Sequence, residues 1–161
     1  MGISMVYFPN DYEKYPVRKN TRMKNFDYTS PNYYFVTVCT WEKKCIFGKP
    51  EDKMQFGRIA ETGIVKISEH YPDVSVEKYV VMPNHIHMIL SLKEGKTRLD
   101  RIVGSYKSYV TNEIHNYRPE ITVWQRSFHD HVIRNEQAFQ KIWLYIEGNP
   151  GNWEKDCFYV K

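Results

Sequence analysis

Cysteine is scarce. Only Cys39, Cys45 and Cys157 occur in 161 residues, and no two are spaced as C-x-x-C. An odd number without that spacing argues against a secreted disulfide framework and for a reducing compartment. Glycine is limited to eight residues, and Gly57 and Gly63 do not make a phosphate-cradling loop. No apolar run approaches the roughly 18–20 residues of a membrane span. The segment Met1–Asn10 lacks the charged-then-apolar pattern of a secretory leader. Neither G-x-S-x-G nor H-E-x-x-H is present, which removes the simplest serine-hydrolase and metalloprotease readings. Together these absences predict a soluble, cytoplasmic protein with no membrane role.

Tyrosine, by contrast, is abundant. Thirteen tyrosines contribute to an aromatic content of 16%, and a ring with a polar tip suits both cores and nucleic-acid surfaces. A net charge of +4 permits a polyanionic partner without demanding one. The length predicts one domain, with residues 33–161 as its body. Residues 1–32 hold Pro9, Pro16 and Pro31 and no hydrophobic period, and read as an extended arm. Arg18, Lys19, Arg22 and Lys24 make the arm basic. It is either a solvated tail tacked down by Phe26 and Tyr28 or a phosphate-gripping segment.

Hydrophobic periodicity sets out the domain. Residues 33–40 (YYFVTVCT) read as a strand. Residues 57–71 read as a helix with Phe56, Ile59, Ala60, Ile64, Ile67 and Tyr71 on one stripe, stopped by Pro72. Strands over 74–82 and 85–92 form a hairpin across Pro83-Asn84. A helix over about 97–117, capped by Thr97, turns Leu99, Ile102, Val103, Tyr106, Val110 and Ile114 inward. A strand over 128–133 and a helix from Asn135 as N-cap to about Gly148 complete the chain. The order is β-α-β-β-α-β plus a C-terminal helix. That is an α+β, ferredoxin-like antiparallel sheet, a fold that hosts many unrelated activities.

Two constellations could carry chemistry. His85 and His87 alternate with Ile86 on a strand, so both imidazoles face one side and can chelate a divalent metal, one or two ligands short of a full site. The plain alternative is two histidines on a solvated sheet face. Tyr145 and Asn149 lie four residues apart on the flank of the last helix's apolar stripe (Phe139, Ile142, Trp143, Ile146), supported by packing yet reachable. Asn149 can offer its carbonyl oxygen to a metal. A half-buried tyrosine and a capping asparagine explain the pair equally well. Tyr106 reads as core, and Tyr109 is a minor competitor. His129 and His131 form a second H-x-H beside Arg126 and Arg134. They could join the first pair around zinc or contact DNA. Trp124 and Phe128 could stack on bases or fill the core.

The run VVMPNHIHMIL at residues 80–90 resembles the HUH motif of the single-tyrosine transposases of the insertion-sequence-200 type. The likeness is closer still to their relatives, the REP-associated tyrosine transposases. Residues 26–48 (FDYTSPNYYFVTVCTWEKKCIFG), 104–114 (GSYKSYVTNEI), 124–134 (WQRSFHDHVIR) and 145–153 (YIEGNPGNW) are similar to that group in the same order. The resemblance implies a ferredoxin-like fold and Mg²⁺ or Mn²⁺ held by His85 and His87. It implies Asn149 as the third metal ligand and Tyr145 as the nucleophile on the last helix. It further implies single-stranded DNA as substrate, often with a hairpin beside the cut, and a monomer or a homodimer. Lys107, Arg126, Arg134 and Lys141 could neutralise phosphates. A catalytically inactive single-strand-binding protein and a zinc-dependent hydrolase remain the alternatives.

Overall fold

β-Branched and aromatic residues place two strands at the centre of a sheet. The computed structural model describes residues 32–93 and 97–161. Strand β1 (Asn32–Cys39) is followed by a small hairpin of β2 (Gly48–Lys49) and β3 (Asp52–Lys53), helix α1 (Gln55–His70), and strands β4 (Val74–Val81) and β5 (His85–Leu92). Helix α2 (Leu99–His115), strand β6 (His129–Ile133), helix α3 (Glu136–Gly148) and a 3-10 segment (Pro150–Lys155) complete it. The main sheet runs β4-β5-β1-β6 and every pairing is antiparallel. With α1 and α2 this is the expected ferredoxin-like order. The small hairpin was not foreseen, because two-residue strands leave no alternation to read. Residues 1–31 of the arm, including Arg18, Lys19 and Arg22, lie outside the described residues, and Asn32 opens β1.

Alternation sorts the central strands onto two faces. Tyr34, Val36, Val38, Ile86, Met88, Leu90 and Val132 pack under α1 and α2 in the main core. Phe35, Ile89 and Ile133 point the other way, against Ala138, Ile142 and Ile146 of α3. His85 and His87 share that second face. Both central strands are covered on both sides, which is why β5 is buried along its whole length. Helices α1 and α2 approach closely at Gly63, where a Cβ would stand 2.9 Å from the Tyr106 ring. Tyr106 is core, as its stripe predicts, and its hydroxyl donates to the Ala60 carbonyl at 3.0 Å.

Caps decided two boundaries. Asn135 caps α3 as expected, its side chain accepting from the Ala138 N–H at 2.8 Å. Thr97 does not cap α2. The helix begins at Leu99 with Arg98 at the N-cap position, and the Thr97 hydroxyl donates instead to Asp73 at 3.3 Å. Trp124 and Phe128 are buried in the main core rather than displayed. The Trp124 indole N–H donates to the Lys107 carbonyl at 3.1 Å.

Candidate metal and nucleophile site

The turn before β5 sets the first histidine. Met82, Pro83 and Asn84 link β4 to β5, and the Met82 N–H donates to the His85 carbonyl at 2.9 Å. Asn84 is buried, and its amide NH₂ donates to the carbonyls of Phe158 (2.7 Å) and Lys43 (3.0 Å). Those two bonds fix which end of the amide is oxygen. Its Oδ1 lies 2.9 Å from His85 Nδ1. An amide oxygen can only accept, so Nδ1 carries the proton and Nε2 presents a lone pair.

His87 follows two residues later on the same face. Its Nδ1 lies 2.8 Å from the hydroxyl of Thr37, directly opposite on β1. Its Nε2 lies 3.2 Å from the Tyr145 hydroxyl. The same tautomer as at His85 lets Nδ1 donate to Thr37 and Nε2 accept from the phenol. Phe35 stacks on the ring at 5.2 Å. Burial, with His87 beside it, drives His85 well below the ordinary imidazole value, and Asn149 opposes this. Burial, with His129 nearby, pushes His87 down to about 3. Both rings are therefore neutral near pH 7, the state a metal needs.

The end of α3 brings the remaining groups. Tyr145 is half-buried, and its phenol is raised above the ordinary tyrosine value by burial, then by Asp156 and Cys157, while Asn149 lowers it. Asn149 is 3% exposed and its NH₂ donates to Asp156 Oδ2 at 3.2 Å. Asp156, just past the 3-10 segment, takes the Phe158 N–H on Oδ1 at 2.9 Å. Its Oδ2 stands 3.6 Å from His85 Nε2, and its side chain is 1% exposed although its backbone is more open. Ligand atoms of His85, His87 and Asp156 all lie within 4.8 Å of one another.

Two acceptors in this arrangement lack a donor. His85 Nε2 and Asn149 Oδ1 are buried and make no hydrogen bond. A lone pair facing a carboxylate oxygen is unfavourable unless a proton or a metal cation lies between them. Imidazole nitrogen, amide oxygen and carboxylate oxygen form a donor set suited to a divalent ion, so the residues present fit a metal.

The structure thus brings together His85, His87, Tyr145 and Asn149. Asp156 and Thr37 were missed, because neither sits in a spacing pattern with the histidines, and Asn84 was read only as part of the turn that enters β5. His129 and His131 lie on the same sheet face, with His129 across β1 from His87 through Thr37. Among the described residues, no metal-competent cluster includes either of them. Arg126 and Lys141 are exposed. Arg134 lines a cleft of about 450 Å³ with Tyr33, Ser91 and Phe139. Lys107 donates from Nζ to the carbonyls of Gln125 (2.7 Å) and Ser127 (2.8 Å).

The sheet thus carries two inward histidines on a central strand, with the tyrosine of α3 beside the second of them. The chain belongs to the IS200-like transposase family, whose family model matches residues 27–149. It is 32% identical to an uncharacterised protein of Haemophilus influenzae, across 89% of this chain and 93% of that one. It is 24% identical to a protein of the same organism named as a REP-associated tyrosine transposase, across 80% and 76%. Among solved structures, it resembles a REP-associated tyrosine transposase bound to a REP hairpin. That likeness has a TM-score of 0.67 at 22% identity, covering 83% of this chain and 74% of that chain. A transposase from Deinococcus radiodurans shares the fold with a TM-score of 0.54 at 15% identity, covering 79% and 97%. No helix among the described residues is long and apolar enough to cross a membrane.

Proposed function

We propose that this protein cuts and rejoins single-stranded DNA beside a hairpin, as a cytoplasmic enzyme of the REP-associated kind. Tyr145 is the nucleophile, and Mg²⁺ or Mn²⁺ is held by His85, His87 and Asn149. One observation carries the reading: the Tyr145 hydroxyl lies 3.2 Å from His87 Nε2, at the mouth of a buried cluster of unsatisfied acceptors.

The Tyr145 oxygen attacks the scissile phosphorus. The new O–P bond forms as the P–O3′ bond breaks, leaving a 5′-phosphotyrosine, and the departing oxygen takes up a proton to become a 3′-hydroxyl. A second 3′-hydroxyl then reverses the step on another strand. The phosphotyrosine conserves the bond, so no nucleotide cofactor is consumed. A bound divalent ion supplies charge stabilisation at a non-bridging phosphate oxygen. The raised phenol of Tyr145 is un-ionised at neutral pH, so it must give up its proton as it attacks. Thr37 and Asn84 hold the two imidazoles in register. Arg126, Arg134, Lys141, His129 and His131, with the basic arm, offer phosphate contacts along the strand. In the cleft beside Arg134 the half-exposed Tyr33 ring offers a stacking face.

Labelled single-stranded hairpin DNA incubated with the protein and Mn²⁺ should yield a covalent adduct that resists denaturation, and Tyr145→Phe should abolish it. An adduct that persists in Tyr145→Phe and vanishes in Tyr109→Phe would reassign the nucleophile. DNA binding without any adduct would leave a single-strand-binding protein.

A further inference from the structure

We infer that Asp156 is itself a ligand of the divalent cation, so that the metal centre is built from β5, the end of α3 and the segment beyond it. The inference rests on the metal site proposed above and adds to it a carboxylate that histidine-and-amide ligation lacks. Three observations support it. The carboxylate reaches within 4.8 Å of both imidazole ligand atoms. It is aimed: the Phe158 N–H holds Oδ1 at 2.9 Å, which leaves Oδ2 turned toward His85 Nε2. It is also uncompensated. Its side chain is 1% exposed, and among the described residues the only basic side chain within 4 Å is His85, whose nitrogen there carries a lone pair. A buried carboxylate in such surroundings calls for a cation.

Asn149 does not neutralise the Asp156 carboxylate. Its NH₂ faces Asp156 Oδ2 at 3.2 Å, and this contact turns its own Oδ1 away from Asp156 and leaves it unsatisfied. The pair thus presents two oxygens from neighbouring side chains, one charged and one neutral. Carboxylate and carbonyl oxygens suit Mg²⁺ and Mn²⁺. With Asp156 bound, the charge of the filled centre falls from +2 to +1, which tightens the ion before any DNA phosphate arrives.

Mn²⁺ is the probe, followed by electron paramagnetic resonance of the free ion and by calorimetry in the absence of DNA. Wild type, His87→Ala, Asp156→Asn and Asp156→Ser are compared. Asp156→Asn should weaken Mn²⁺ binding at least tenfold, with Asp156→Ser similar and His87→Ala weaker still. Both Asp156 variants should melt no lower than wild type in EDTA, since they remove a buried charge, so the loss cannot be ascribed to unfolding. Mn²⁺ affinity unchanged in both Asp156 variants but lost in His87→Ala overturns the inference and leaves the metal site standing. Wild-type protein that binds no Mn²⁺ overturns both.

Discussion

The hydroxyl of Tyr145 lies 3.2 Å from Nε2 of His87, the lone pair through which that histidine would hold a metal. One nitrogen cannot serve both. A cation held through that nitrogen would therefore replace this hydrogen bond and free the phenol. A neutral hydrogen bond contributes about 0.5–1.5 kcal/mol net, so Tyr145→Phe should bind Mn²⁺ as tightly as wild type or a few-fold tighter. Weaker binding by the variant, read by calorimetry, would show instead that the phenol belongs to the metal's own ligand shell.

Acid should unfold the metal-free protein earlier than its carboxylates alone would suggest. His85 and His87 are depressed, the latter to about 3. Groups lowered on folding contribute stability that is present above their unfolded value of about 6.5 and lost as pH falls from there toward the folded value. Asp156 is raised by burial and runs the other way, favouring the fold at lower pH. Two imidazoles outweigh one carboxyl. Urea titrations in EDTA should show a loss of about 2–4 kcal/mol between pH 7 and pH 5, with a shallower slope in His87→Gln.

Asn84 makes three side-chain hydrogen bonds to three separate parts of the chain. Asn84→Ala should cost about 2–4 kcal/mol in urea denaturation, at roughly 1 kcal/mol per bond. It also frees the His85 ring to change tautomer, so Mn²⁺ affinity should fall about 10–100-fold, the usual effect of losing a residue that orients a metal ligand. Stability loss without any change in Mn²⁺ affinity would deny it that orienting role.

How far the sequence carried the site depends on the kind of signal. His85 and His87 were legible because a strand's two-residue period put them on one face whatever the details. Tyr145 and Asn149 were legible because a four-residue step on a helix flank survives small errors in the boundary. Asn135 followed from cap chemistry. Asp156 had no such handle. It follows a kinked 3-10 segment, with Asn152 outside helical geometry, and its place beside His85 goes with the contact of Phe158 on Asn84. Thr97 misled because a capping residue type stood two positions before the true helix start, where Asp73 claimed its hydroxyl.

Lys107 tests the split between holding the fold and holding DNA. Its Nζ bonds two carbonyls in the segment before β6, where Ser127 adopts φ 68°, and burial lowers its ionisation. Lys107→Met should cost about 1–3 kcal/mol and speed hydrogen exchange in β6. Single-stranded DNA affinity measured against salt should keep its slope. Arg126→Ala, Arg134→Ala and Lys141→Ala should each flatten the slope by about 0.7. A flatter slope in Lys107→Met would give its ammonium a phosphate contact as well.

Asn84 hydrogen-bonds the carbonyl of Phe158, 74 residues away in sequence, so the orientation of His85 depends on a contact far along the chain. The pairings of β5 with β1 and β4, and the main core under α1 and α2, use none of residues 149–158. Local opening of that short stretch would therefore leave the scaffold paired while releasing Asn149, Asp156 and the hold on the His85 ring together.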